Sequence, residues 1–188
     1  MSAPKTAYYD RQLVDEDTHQ SIMLCKAVLK KQDSPSATKI ACHARIVALL
    51  DKLPLIRLFD RTMATQNTSD LPDYAPKMRQ LLMDRCMAYF NLACAFHRDG
   101  NVQNAASNYQ RSTTLGETLL QTVLAPRDEP EKDAELRFEV HSNTLTILLV
   151  ALRSWAEVER AIGRVTSAQR IEARVAALEP EPCTSGDE

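Results

Sequence analysis

Residues 88–115, AYFNLACAFHRDGNVQNAASNYQRSTTL, decide the fold class of this chain. Large and small side chains recur at helical spacing on both sides of a Gly-Asn turn, as expected for two helices that pack against each other. The positions that carry this pattern are Tyr89, Leu92, Ala93, Phe96, Gly100, Ala105 and Tyr109. The small Ala93 and Ala105 permit a close approach of the two helices, and Gly100 can adopt the positive φ that ends a helix. The stretch therefore predicts an antiparallel helical hairpin.

This order of residues resembles the tetratricopeptide repeat, whose pattern W-x2-L-G-x2-Y…A-x3-F…P extends over ~34 residues. Tyr89 stands at the first aromatic position, Ala93 stands where glycine is usual, and Glu117 replaces the terminal proline. The resemblance implies an all-α fold in which antiparallel hairpins stack as a short right-handed superhelix or bundle. It also implies a scaffold that binds other proteins.

The first helix of the hairpin is expected to begin well before the repeat pattern. Its apolar stripe, at steps of 4, 3, 4 and 3 residues, consists of Leu82, Cys86, Tyr89, Ala93 and Phe96. The second helix is expected from near Asn101 toward Val123, and Gly116 either weakens it or ends it early.

A second, degenerate copy of the hairpin is expected downstream. A third helix is predicted over residues 131–152 and a fourth over 154–178, with a tight turn at Arg153-Ser154 and Trp155 as a packing anchor. In this alignment the correspondences are Leu145 to Leu92, Thr146 to Ala93, Leu149 to Phe96, Val158 to Ala105 and Ile162 to Tyr109. The copies are then 53 residues apart rather than ~34, which resembles the long-helix variants of the family.

The composition predicts an almost entirely helical protein. Only 4 of the 188 residues are glycine, against about 7% in average proteins, which leaves few residues for the turns of an all-β fold. Proline-containing and polar stretches divide the chain into a flexible N-terminal arm (1–14), an N-terminal helical hairpin (15–64), a loop (65–76), the repeat-like hairpins (77–179) and a disordered acidic tail (180–188). Whether residues 15–64 form a further repeat is left open.

The charge and apolar content favour a cytoplasmic protein, with the nucleus as an alternative. A net charge of −2 without a basic cluster argues against nucleic acid as the principal partner. The longest apolar run, residues 147–152, is far shorter than the ~20 residues that span a bilayer. The five cysteines include no C-x-x-C pair, so we expect reduced thiols and no metal site.

No catalytic motif or cofactor motif occurs in the sequence, and we expect a non-enzymatic protein. The four histidines are scattered along the chain. Cys94 is the one candidate nucleophile. Only Arg98, one turn away, would lower the pKa of its thiol, so a small apolar role for Cys94 is favoured over a reactive thiol.

In tetratricopeptide scaffolds the first helix of each hairpin lines a groove, and the residues that do not pack are free to bind. Here these residues are Met87, Phe90, Asn91, Cys94, His97 and Arg98. Asn91 is the strongest candidate, because its amide can both donate to and accept from an extended peptide. The carboxylate clamp of chaperone-binding relatives is incomplete, since Val140 and Thr144 stand where Lys and Arg are needed. An acidic chaperone tail is therefore a disfavoured partner.

Three functions follow from these observations. The first is an adaptor that presents a helical groove to an extended peptide or a helix of a partner protein. The second is an obligate subunit of a larger complex with no free groove, and the third is a helical enzyme or enzyme regulator. Apolar residues on the second copy have two interpretations, since either the chain's own helices or a partner helix can cover them. These residues are Val140, Ile147, Val150 and Ala151.

Overall fold

The computed structural model describes residues 16–65, 75–124 and 131–179, and within these ranges every regular element is an α-helix. The seven helices are α1 (Glu16–Leu29), α2 (Ser36–Leu50), α3 (Pro54–Thr65), α4 (Ala75–Arg98), α5 (Val102–Leu124), α6 (Glu131–Ala161) and α7 (Val165–Leu178). The all-α prediction is confirmed. The predicted arm, residues 66–74 of the predicted loop, and the acidic tail lie outside the described residues.

The helices pack in chain order around α4. This helix contacts α5 most extensively and also contacts α2 and α6, while α1 packs on α2 and α7 packs on α6. One apolar core lies among α1, α2, α3 and α4 and also includes Leu119 of α5 and Val140 of α6, and a second lies among α4, α5, α6 and α7. The segment predicted as one hairpin contains a third helix, α3, which starts at Pro54 because proline is well tolerated in the first turn of a helix.

The hairpin predicted from the opening stretch is present as α4 and α5. Ala93 and Ala105 are fully buried and Tyr109 is 1% exposed, so the small residues permit the close packing that the sequence indicated. Tyr89 and Leu92 are also buried, and Phe96 is half-buried. Gly100 has a φ of 76° and ends α4.

The predicted break at Arg153-Ser154 is wrong. Helix α6 continues through it for 31 residues, from Glu131 to Ala161. Trp155 is therefore an interior residue of α6, where its Nε1 donates a hydrogen bond to Glu159 Oε1 at 3.1 Å. Arg and Ser are tolerated inside helices, and without Gly or Pro nothing at this point stops the helix.

The true end of α6 is at Gly163, which repeats the geometry of Gly100. The φ of Gly163 is 87°, and the N–H of Arg164 donates to the Glu159 carbonyl at 2.8 Å. The equivalent bond after Gly100 joins Asn101 N–H to the Phe96 carbonyl at 2.9 Å. Both ends have the glycine-dependent hydrogen-bond pattern of a Schellman cap.

The position of this cap shows which residues of the two hairpins correspond, and it differs from the predicted alignment. Buried Ala156 and Ala168 match Ala93 and Ala105 at a separation of 63 residues, as Gly163 matches Gly100. The predicted correspondences at 53 residues, including Leu145 to Leu92 and Val158 to Ala105, are therefore wrong.

Gly116 does not end α5, which continues to Leu124. A Cβ atom at this position would lie 3.5 Å from Leu148 Cδ1 and 3.7 Å from Cys86 Sγ. The glycine thus lies where α5 passes close to both α4 and α6.

Candidate functional site

The six predicted groove residues of α4 have three different sets of neighbours in the structure. Met87 and Asn91 line a cavity shared with α1 and α2. Phe90, Cys94 and His97 are near the Tyr109 side chain of α5. Arg98 is exposed at the end of the helix.

The cavity between α1, α2 and α4, called here the Asp84 cavity, has a volume of about 250 Å³. Met87 is 37% exposed and Asn91 is half-buried, so both are open to a ligand from this side. The other lining residues are Lys26, Leu29, His43, Ile46, Leu50, Asp84 and Ala88. The wall is therefore largely apolar and carries a few polar groups, as binding pockets usually do.

Asp84 is the most unusual polar group in this cavity. It is 8% exposed, and its Oδ1 accepts a hydrogen bond from Gln80 Nε2 at 3.3 Å. Its Oδ2 is buried and accepts no hydrogen bond from the described residues. Burial raises the pKa of Asp84 to about 7, against the opposing effects of the Gln80 hydrogen bond and the Lys26 charge.

The second titratable group in the cavity is His43 of α2. Burial and the positive charge of Arg98 both lower its pKa, so the imidazole is neutral near pH 7. Arg98, an expected groove residue, therefore influences this cavity from the end of α4.

The other expected groove residues surround Tyr109. The Tyr109 Oη lies 3.5 Å from both Cys94 Sγ and His97 Nδ1, and the rings of Phe90 and His97 are each 6.1 Å from the Tyr109 ring. Burial, followed by the contact with Cys94, raises the pKa of Tyr109. This set of residues, called here the Tyr109 cluster, forms part of the packing between α4 and α5.

The apolar residues of the second copy are partly in the protein's own core. Val140 and Ala151 are buried, and Ile147 is half-buried. Val150 is 42% exposed and occupies the same place in α6 that Met87 occupies in α4, 63 residues earlier.

A second cleft, of about 600 Å³, lies on another side of α4, where Asp60, Arg85, Tyr89 and Arg111 are among its lining residues. Arg85 binds Asp60 through two hydrogen bonds, at 2.7 and 3.0 Å, and donates from Nε to Asp51 at 2.7 Å. The Arg111 guanidinium lies 5.7 Å from the centre of the Tyr89 ring. The charges of Arg85, Asp51 and Asp60 are already paired within the chain, which makes this cleft the weaker candidate for a binding site.

Sequence reasoning did not bring Asp84, Lys26 and His43 together in one site. A local signal existed for Asp84, because Asp84, Met87 and Asn91 are spaced by three and four residues and so share one side of α4. No such signal existed for Lys26 or His43, since the packing of α1 and α2 beside α4 depends on contacts between distant segments.

In the described part of the chain, no three His, Cys, Asp or Glu side chains are grouped as a metal site would require. Among the same residues, no helix is both long and apolar enough to cross a membrane. Comparisons with protein-family models, with curated proteins and with solved structures gave no match.

Proposed function

We propose that this chain is a non-enzymatic adaptor of the cytoplasm or nucleus, built from tetratricopeptide-like hairpins, that binds a segment of a partner protein beside α4. The Asp84 cavity carries this proposal. It is open beside Asn91 and Met87, two residues expected to bind a partner, and its size and lining suit a side chain of that partner.

The packing of the helices supports the tetratricopeptide-like part of the proposal. The first helices of two hairpins, α4 and α6, end in the same glycine cap, and buried alanines recur at matching positions. Each helix contacts helices that are adjacent or next but one in the chain, as in stacked repeats.

Peptide selection tests the adaptor function. The full chain is immobilised and used to select binders from a library of random linear peptides displayed on phage. The affinities of the synthesised binders are then measured by fluorescence anisotropy for the wild type and for Asn91→Ala. We expect this variant to weaken binding about tenfold, the size of a lost pair of hydrogen bonds.

The matched control is Asn104→Ala, which makes the same change at an exposed position of α5. This control should bind as the wild type does, and the far-UV circular dichroism of both variants should be unchanged. If no peptide is selected, or if both variants bind equally well, the adaptor function beside α4 is wrong.

Exposed apolar side chains favour a second candidate, the obligate subunit. Phe138 is 74% exposed, Leu24 is 69% exposed and Met23 is 50% exposed, and apolar residues of this kind often mark protein interfaces. An obligate subunit purified alone is expected to aggregate, and Leu24→Ser/Phe138→Ser should restore a monomer in analytical ultracentrifugation. An adaptor is expected to be monomeric without these substitutions.

A further inference from the structure

The buried Oδ2 of Asp84 lacks the hydrogen bond that a buried carboxylate oxygen requires. More than nine-tenths of buried polar groups in proteins have a partner, and a buried charge without one is costly to the fold. Among the described residues, Asp84 accepts a single hydrogen bond, from Gln80 to its other oxygen. A donor brought into the cavity would satisfy Oδ2 and compensate the charge.

The size of the Asp84 cavity limits what that donor can be. Its volume of about 250 Å³ is smaller than the ~300–1,000 Å³ of typical small-molecule pockets, so it suits one side chain better than a whole ligand. Leu29, Ile46 and Leu50 provide an apolar wall, which suits a stem of methylene groups. A charged donor is preferred to a neutral one, because charge-assisted hydrogen bonds are roughly twice as strong.

We propose that the Asp84 cavity takes a lysine or arginine side chain from the partner segment, with its methylene groups against the apolar wall and its cationic end hydrogen-bonded to Asp84 Oδ2. This inference rests on the proposed adaptor function and specifies the partner: a protein segment with one basic anchor residue. Because Oδ2 is buried, the lining side chains must shift to admit the donor. Met87 is unbranched and adaptable enough to do so.

Two basic residues of the chain itself surround the cavity and bear on this proposal. His43 is neutral near pH 7 and adds no repulsion to an incoming cation. Lys26 lines the cavity and does repel a second cation. The substitution Lys26→Gln is therefore expected to tighten binding of a basic peptide, and weaker binding of that peptide would contradict the proposal.

A double-mutant cycle between peptide and protein provides the main test. Peptides selected on the wild-type chain are expected to share a Lys or Arg at one position. Replacing that lysine by norleucine, or the arginine by citrulline, should weaken binding to the wild type about tenfold. The same replacement should have little effect on binding to Asp84→Asn. Asp33→Asn, at an exposed position between α1 and α2, is the control and should behave as the wild type does.

The outcomes separate this inference from the adaptor function. Peptides that require Asn91 but show no coupling to Asp84 would overturn the basic anchor and leave the adaptor function standing. Failure to select any peptide would overturn both.

The chain's own N-terminal arm is another source of basic residues, Lys5 and Arg11. The full chain with Lys5→Gln/Arg11→Gln should bind the selected peptides with unchanged affinity if the anchor comes from a partner. A tenfold gain in affinity would show that the N-terminal residues occupy the cavity in the free chain, and would overturn the assignment of the cavity to a partner residue alone.

Discussion

Tyr89 Oη donates a hydrogen bond of 2.6 Å to Asp51 Oδ2, and thereby joins the middle of α4 to the residue that follows α2. Asp51 also accepts a hydrogen bond from Arg85 Nε. The carboxylate thus connects the N-terminal helices to the hairpin that begins with α4. Burial, followed by the bond to Asp51, raises the pKa of Tyr89, so the hydroxyl remains a donor at physiological pH.

This bond makes Tyr89 more sensitive to loss of its hydroxyl than Tyr109, although Tyr109 is the more deeply buried of the two. Tyr89→Phe should lower the free energy of unfolding by about 1–2 kcal/mol, because it removes a short hydrogen bond to a charged group. Tyr109→Phe should lower it by about 0.5 kcal/mol, since its contacts to Cys94 and His97 are long. Urea denaturation of both variants measures the difference, and equal losses would contradict this explanation.

Two glycines should respond in opposite ways to replacement by alanine. Gly116 lies inside α5 in a helical conformation with ordinary contact distances around a new Cβ, so Gly116→Ala should stabilise the protein by about 0.5–1 kcal/mol. Gly100 has a φ of 76°, so Gly100→Ala should destabilise it by about 1–2 kcal/mol. Thermal unfolding followed by circular dichroism measures both effects, and a loss of stability in Gly116→Ala would show that α4, α5 and α6 are packed too tightly there.

Asp84→Asn should increase stability in a pH-dependent way. The pKa of Asp84 is raised from an ordinary value of 3.8 to about 7 in the folded protein. The folded state therefore binds a proton that the unfolded state releases, and the Asp84 contribution to the free energy of unfolding falls as pH rises through this window. The variant should gain little near pH 4 and about 2 kcal/mol or more above pH 7, since each unit of pKa shift corresponds to about 1.4 kcal/mol.

The groups around Asp84 do not obscure this measurement. Lys26 on α1 and His43 on α2 line the same cavity, and both are present in the wild type and in the variant. The difference between two urea titrations at each pH therefore measures Asp84 together with its coupling to these two groups. A difference that does not change between pH 4 and pH 8 would mean that the carboxyl titrates normally.

The thiols should react according to their burial. Cys86 is fully buried, its Sγ donates to the Ser112 carbonyl, and burial raises the pKa of its thiol. Iodoacetamide should therefore modify Cys86 roughly 100-fold or more slowly than the half-buried Cys42 and Cys94. Mass spectrometry of the modified peptides gives the three rates. Reaction of Cys94 far faster than that of Cys42 would favour the alternative of a reactive enzyme thiol.

The sequence was sufficient to predict the α4–α5 hairpin, because its determinants are local. Ala93, Gly100 and Ala105 lie within 13 consecutive residues. The two alanines permit close packing of the helices, and the glycine ends the first helix. The second hairpin was misaligned because Gly163 was not recognised as the end of α6. The pair Ala156 and Ala168, at the same spacing from that glycine as Ala93 and Ala105 from theirs, was the available signal.

The candidate site was only partly predictable for a different physical reason. Helical spacing identified which residues of α4 are not needed for packing, and Met87 and Asn91 do line a cavity. The crossing angle between α4 and α5 decides which other residues of α4 face α5. The spacing of residues within one helix does not determine that angle. Cys94 and His97 consequently lie against Tyr109.

The contacts between helices also affect how the chain acquires its fold during synthesis. All extensive contacts of the described residues join helices that are adjacent or next but one in the chain. A nascent chain of this kind folds in the order in which it leaves the ribosome, because an early helix does not wait for a distant one. One face of α5 is buried later than the rest of the helix, because it packs on α6, which is synthesised afterwards. Leu120 belongs to the apolar core that forms there. That face is open to water until the 31 residues of α6 have been made, so its apolar side chains are prone to aggregation during this interval of synthesis.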